Sequence, residues 1–76
     1  MENTRLCNIQ ENTIYIVKKI DTASEMAKRL SELGLICGTE VKCLFRAPSG
    51  DPTAYLIRGA SIALRRECTE NIIVSR

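Results

Sequence analysis

The spacing of glycine and proline constrains the fold of this 76-residue chain more than any other feature. Gly34 ends a segment with helical periodicity, because glycine adopts the left-handed conformation of a helix C-terminus without a Cβ penalty. Pro48 and Pro52 bracket a short loop, and proline fixes φ and removes a hydrogen-bond donor. Gly59-Ala60 then separates two strand-like segments, as in a hairpin. The order of parts is therefore helix end, strand, stiff loop and hairpin.

Alternation of apolar and polar residues predicts about five short strands. They cover residues 13–20, 40–46, 53–58, 61–66 and 72–74, with a polar turn at 67–71 before the last. In the first strand we expect Ile14 and Ile16 on the apolar side. In the second strand we expect Val41, Cys43 and Phe45 to share one side.

One amphipathic helix is predicted between the first two strands. Thr22-Ala23-Ser24-Glu25 fits a capping box, in which the Thr22 hydroxyl and the Glu25 carboxylate each accept a hydrogen bond from a free amide. The helix continues from there for about three turns. Leu35 is then placed to pack back on Leu30, as in a Schellman motif.

These elements indicate a single, mostly β domain over residues 1–76. Short antiparallel strands in so small a chain usually avoid exposed edges by curling into a barrel, here flanked by the helix that follows the first strand. Hydrophobic residues make up 45% of the chain and charged residues 26%, which is typical of a protein that folds unaided. We expect a monomer.

Several function classes are disfavoured by what the sequence lacks. Without histidine it has no Ser-His-Asp or Cys-His arrangement, and neither phosphate-binding glycine motif occurs, so we expect no enzyme. A net charge of +2, two tyrosines, one phenylalanine and no tryptophan disfavour nucleic-acid binding. No apolar run exceeds four residues, against roughly 20 for a membrane span, and the first residues do not resemble a signal peptide. We expect a cytoplasmic protein with no membrane insertion.

The cysteines are the candidate metal ligands of this sequence, because thiolates bind Zn²⁺ and Fe²⁺. The four residues are Cys7, Cys37, Cys43 and Cys68, which are far apart and include no C-x-x-C pair. This spacing favours structural thiols, with Cys43 on the buried side of its strand, and a reducing cytosol disfavours disulfides. A metal- or redox-sensing thiol protein that binds Fe²⁺ or Zn²⁺ weakly is the alternative.

Three motifs follow one another in the second half of the chain. They are Leu33-Gly34-Leu35-Ile36-Cys37-Gly38-Thr39-Glu40-Val41, then Pro48-Ser49-Gly50-Asp51-Pro52, and then Gly59-Ala60-Ser61-Ile62-Ala63-Leu64-Arg65. In this order they resemble the FeoA family, the small cytoplasmic accessory proteins of bacterial ferrous iron uptake. The resemblance implies an SH3-like β-barrel with a helix inserted after the first strand.

The same resemblance implies a partner. Members of the family are thought to act through FeoB, a membrane permease for Fe²⁺ with a cytoplasmic GTPase domain, so this chain would bind and modulate such a permease. We expect the contact at the helix end and the stiff loop, namely at Leu35, Ile36, Pro48, Ser49, Gly50, Asp51 and Pro52. A related domain occurs in iron-dependent repressors of the DtxR type, so a stand-alone regulatory domain of that kind is a further alternative.

Overall fold

The computed structural model describes residues 3–76, in which six strands form one antiparallel sheet. In chain order the strands are β1 (Asn3–Arg5), β2 (Ile14–Ile20), β3 (Glu40–Arg46), β4 (Thr53–Ile57), β5 (Ala60–Leu64) and β6 (Ile72–Ser75). Helix α1 covers Ser24–Glu32, helix α2 covers Arg66–Thr69, and a 3₁₀ turn covers Leu6–Asn8. Across the sheet the strands are ordered β1-β6-β2-β3-β4-β5.

The predicted mostly β class is confirmed, with two corrections to the order of elements. β1 is a strand that the sequence does not predict, so α1 follows the second strand rather than the first. The segment Asn3–Arg5 has no apolar alternation, and it is extended because it pairs with β6. The predicted polar turn at 67–71 is wrong in part, because Cys68 and Thr69 are buried in α2 and only the end of the segment is a turn.

The core is one cluster of buried apolar side chains from β2 to β6, α1 and the segments around them. Its members are Leu6, Ile9, Tyr15, Val17, Leu30, Leu35, Val41, Cys43, Tyr55, Ile57, Leu64, Ile72 and Val74. No helix in residues 3–76 is long and apolar enough to cross a membrane.

The buried side of β2 is opposite to the one that the sequence predicts. Tyr15 and Val17 face the core, whereas Ile14 is 55% exposed and Ile16 is half-buried. Both sides of this strand are apolar, so alternation alone does not decide which side faces inward. A register shift between Val17 and Lys19 in the pairing with β6 then brings Ile20 back against the core.

A second register shift changes the far end of β3. Val41 and Cys43 are buried as predicted, but Phe45 is 59% exposed. The pairing of β3 with β4 shifts between Cys43 and Phe45, which reverses the alternation at that point. The predicted shared side of Val41, Cys43 and Phe45 is therefore wrong for Phe45.

The two ends of α1 differ in how well the sequence predicts them. The predicted capping box is wrong, because the N-cap is Ala23 and no side chain caps the helix. The predicted Schellman motif is confirmed by the Leu35 amide, which donates to the Leu30 carbonyl at 2.8 Å, and by the Gly34 amide, which donates to the Ser31 carbonyl at 2.9 Å.

The hairpin between β4 and β5 is confirmed, with its turn one residue earlier than predicted. Ile57 pairs with Ala60, so the turn residues are Arg58 and Gly59 rather than Gly59 and Ala60. Both have positive φ, 50° for Arg58 and 80° for Gly59, as a two-residue type I′ turn requires.

Candidate partner-binding surface

The loop after α1 carries two of the exposed apolar side chains of this protein. Leu33 and Ile36 are exposed, Ile36 by 42%. Leu35, for which the sequence predicts a place in the partner surface, is 0% exposed and belongs to the core. The Schellman turn explains this correction, because it folds the residue after Gly34 back onto Leu30.

Hydrogen bonds hold this loop in one conformation. The Thr39 hydroxyl donates to the Gly34 carbonyl at 3.0 Å and accepts from the Ile36 amide at 3.3 Å. The Gly38 amide donates to the Val17 carbonyl at 2.8 Å, which ties the loop to β2. Ile36 is therefore presented on a fixed backbone, where binding a partner costs little ordering entropy.

The loop between β3 and β4 is also held by its own hydrogen bonds. The Gly50 amide donates to the Ala47 carbonyl at 2.7 Å, and the Ser49 hydroxyl donates to the Asp51 carbonyl at 2.8 Å. The Asp51 carboxylate accepts from the Arg66 amide at 2.8 Å, which fixes the loop to the start of α2. Contact with a partner is predicted for residues 48–52, of which Asp51 is half-buried and the others are exposed.

The two halves of the predicted surface are not adjacent. Ile36 lies before β3 and residues 48–52 lie after it. Because β3 has seven residues, the two loops are about 20 Å apart at the rise of an extended strand. The structure therefore offers two separate candidate contact regions rather than the one surface that the sequence predicts.

A groove of about 430 Å³ crosses β2, β3 and β4 and continues to the loop after α1. Register places Ile14 opposite Lys42 and Lys42 opposite Leu56, so one row of side chains spans three strands. Glu40, Lys42 and Arg58 place charged groups beside the apolar side chains of Ile14 and Leu56, so the lining is mixed. We call this the sheet groove; its lining residues are Ile14, Gly38, Thr39, Glu40, Val41, Lys42, Leu56, Arg58 and Gly59.

The sheet groove is not predicted from the sequence, because strand pairing creates it from distant segments. One signal for it is present, since Ile14-Tyr15-Ile16-Val17 is apolar on both sides of a single strand. A strand with one face on the core must then expose apolar side chains on the other. That exposed face is where Ile14 lies.

Arg58 connects the hairpin turn to the end of α1. Its Nε donates to the Gly34 carbonyl at 3.1 Å. A Cβ added at Gly34 would lie 2.6 Å from the Arg58 Cδ, so the Arg58 side chain would have to move, and the φ of +95° at Gly34 also favours glycine. The first motif of the sequence therefore meets, at this contact, the residue that directly precedes the third.

Gly34→Ala should lower the free energy of unfolding by about 1–2 kcal/mol through its left-handed φ, and by about 0.5–1.5 kcal/mol more if Arg58 leaves its hydrogen bond. Gly50→Ala is the matched control, because Gly50 has φ +92° and a Cβ added there would meet no atom within 4 Å. Urea unfolding of both variants gives the comparison. Equal losses in the two variants would show that the Arg58 contact adds no stability.

The four cysteines are free thiols at separate places. Cys43 and Cys68 are buried, Cys7 is half-buried, and Cys37 is exposed with its thiol 3.5 Å from the Lys18 carbonyl. Burial raises the pKa of Cys43 and of Cys68, which keeps both as neutral thiols at neutral pH. In residues 3–76 no three Cys, Asp or Glu side chains are grouped to hold a metal ion.

Comparison with protein-family models matches residues 4–76 to the FeoA domain. The chain belongs to the FeoA domain family. This agrees with the resemblance that the three sequence motifs indicate. Comparison with curated proteins finds no match.

Solved structures with the same fold include two FeoA proteins. FeoA from Chlorobium tepidum is 29% identical with a TM-score of 0.89, over 95% of this chain and 69% of that one. FeoA from Stenotrophomonas maltophilia, solved with zinc, is 26% identical with a TM-score of 0.79, over 95% of this chain and 89% of that one. It is described as a prokaryotic SH3 domain protein and a candidate activating factor for ferrous iron transport. The SH3-like fold implied by the resemblance is thus confirmed.

The fold also occurs as part of a longer protein. IdeR from T. acidophilum is 20% identical with a TM-score of 0.83, over 99% of this chain and 34% of that one. At this identity the likeness shows the FeoA domain fold alone.

Proposed function

We propose that this chain is a small regulatory accessory of ferrous iron uptake, which binds the cytoplasmic side of a FeoB-type permease and modulates it by protein–protein contact. Membership of the FeoA domain family over residues 4–76 is the observation that carries the proposal. In this proposal the protein acts as a monomer and catalyses no reaction. The permease transports Fe²⁺ as its cargo, and the accessory protein does not need to hold the ion.

The sheet groove and the loop beside it support a protein contact. Ile14 and Ile36 expose apolar area, and Leu56 is half-buried on β4. Removing such side chains from water contributes about 25 cal/mol for each Å² buried. Ladder bonds of the sheet and side-chain bonds of the loop already fix the backbone, so little entropy is lost on binding.

Burial of the aromatic side chains disfavours the nucleic-acid alternative. Tyr15 and Tyr55 are in the core, which leaves Phe45 as the one exposed aromatic side chain of the sequence. Proteins that bind single strands stack several bases on exposed aromatic side chains. A partner protein therefore fits this surface better.

The thiol-sensing alternative has less support than the permease contact. Its four candidate ligands lie apart, two of them buried with raised pKa values. The likeness to part of IdeR supports a stand-alone regulatory domain of the repressor type only at the level of fold.

The test is an NMR titration of the labelled protein with the purified cytoplasmic domain of its cognate FeoB, with and without GTP. We expect saturable shifts at the sheet groove and at residues 33–38. Ile14→Ser should weaken binding by about tenfold or more, as expected for an apolar side chain that becomes buried. Phe45→Ser is the matched control. Phe45 has a similar exposure to Ile14, but it lies at the end of β3 that leads into residues 48–52.

The outcomes separate the two candidate contact regions and the alternatives. If Phe45→Ser weakened binding and Ile14→Ser did not, the contact would be assigned to residues 48–52. Absence of any shift with the permease domain would overturn the proposal. If Fe²⁺ or Zn²⁺ alone then caused saturable shifts around Cys37, the thiol-sensing function would replace it.

A further inference from the structure

β5 is an edge of the sheet, and its outer side pairs with no other element in residues 3–76. The strand order places it last, beside β4 alone. Ala60, Ser61 and Ala63 are exposed, while Leu64 packs into the core. One edge of β5 is therefore hydrogen-bonded to β4, and its other edge is open to solvent.

The hydrogen-bond pattern of the hairpin shows which backbone groups are free. Because Ile57 and Ala60 close a two-residue turn, they form a hydrogen-bonded pair, and so do the residues two and four positions further along. The amides and carbonyls of Ser61 and Ala63 therefore point away from β4. They offer two donors and two acceptors in the spacing of a β-ladder.

This edge lacks the features that normally protect an edge strand. Proteins protect edges with charged side chains, proline, bulges or very short strands. Ala60–Leu64 contains no charge and no proline, and its register with β4 is regular. The opposite edge, β1, covers three of the residues that the structure describes and carries Arg5.

Basic side chains stand at both ends of the open edge. Arg58 precedes β5, and Arg65 and Arg66 follow it, all three exposed. Asp51 is 4.0 Å from Arg65 and accepts from the Arg66 amide, so it neutralises part of this charge, as does Glu67 in the next position. The three arginines still outnumber the two carboxylates.

The charges disfavour a second copy of this chain on the edge. Two β5 strands that pair antiparallel through their free groups set Ser61 against Ala63 of the other copy. In that register the Arg58 end of each strand lies beside the Arg65 and Arg66 end of the other, and like charges brought close together are destabilising. An acidic segment would meet these same arginines with opposite charge.

We propose that β5 accepts an extended acidic segment of the partner by strand addition, with Ser61 and Ala63 forming the main-chain hydrogen bonds. The identity of the partner rests on the proposed function, whereas the acidic chemistry of the segment rests on the edge itself. The small side chains of Ser61 and Ala63 leave room for the neighbouring side chains of the added strand. Arg58 at one end and Arg65 and Arg66 at the other select carboxylates flanking it.

The test is amide hydrogen exchange of this protein, alone and with the cytoplasmic domain of FeoB. We expect the Ser61 and Ala63 amides to exchange fast in the free protein and at least about tenfold more slowly in the complex. Arg66→Glu should weaken binding by about tenfold, and Lys28→Glu, an equal change of charge on the exposed side of α1, should not. These readouts do not depend on a variant that disrupts the strand.

A second probe separates this inference from the proposed function. The peptide Glu-Asp-Thr-Val-Thr-Val-Asp-Glu should protect the Ser61 and Ala63 amides, and the same peptide with lysine in place of each acid should not. If FeoB binds without protecting them and Arg66→Glu behaves like Lys28→Glu, strand addition is wrong and the proposed function stands. If the acidic peptide protects them while FeoB does not bind, the edge site stands and the proposed function is wrong. Failure of both probes, or dimerisation through β5, overturns strand addition.

Discussion

Leu35→Ala should lower the free energy of unfolding by about 2–5 kcal/mol, the range for removing a fully buried leucine. Leu35 is 0% exposed, and its amide is fixed to the Leu30 carbonyl, so the backbone cannot readily move to fill the cavity. A domain of 76 residues has a total stability of roughly 4–11 kcal/mol. The variant should therefore unfold at a much lower urea concentration than the wild type.

Ile36→Ala is the control, because the two residues are neighbours in sequence and differ in burial. Ile36 is exposed on the far side of the Schellman turn, and surface substitutions usually change stability by no more than about 0.5 kcal/mol. We expect the Ile36 variant to unfold like the wild type while binding FeoB less tightly. Similar stability losses in the two variants would contradict the assignment of Leu35 to the core.

This pair of residues illustrates how far the sequence predicts the site. Gly34 correctly predicts the helix end, because a left-handed residue followed by an apolar one is a local signal. The same local rule implies that Leu35 packs inward. Its assignment to the partner surface follows from the family motif, which does not distinguish residues that fold the loop from residues that touch a partner.

Strand faces are harder to predict than strand positions. β2 to β6 all lie close to where alternation predicts them, because alternation is a property of each strand by itself. The exposure of Ile14 and Phe45 depends on which strands pair and on two register shifts. A bulge reverses the faces of a strand and leaves only a weak trace in its sequence.

The sheet groove and the β5 edge have the same origin. Each is made by pairing between strands, so neither has a motif of its own. The two lie side by side, because the row that crosses the groove from Ile14 through Lys42 and Leu56 ends at Ser61 on the edge. A partner that adds a strand to β5 would therefore also reach the groove.

Tyr55→Ala should have the largest effect on stability, about 3–5 kcal/mol as for other large aromatic side chains in cores. Tyr55 is 0% exposed and is the largest fully buried side chain in residues 3–76. Its hydroxyl also donates to the Leu6 carbonyl at 3.3 Å, which ties the N-terminal segment to β4. Circular dichroism during urea unfolding would measure the loss, and a midpoint near that of the wild type would contradict the core described above.

Tyr55→Phe separates the packing of the ring from the hydrogen bond of its hydroxyl, and it should cost only about 0.5–1.5 kcal/mol. Burial raises the pKa of Tyr55, so the folded state holds the phenol proton more tightly than the unfolded state does. The stability linked to this proton is complete below the unfolded pKa of about 10 and is lost as the pH rises through the higher folded value. The wild type should therefore lose its advantage over Tyr55→Phe in alkaline solution, whereas a difference that does not change with pH would show that this phenol is not buried.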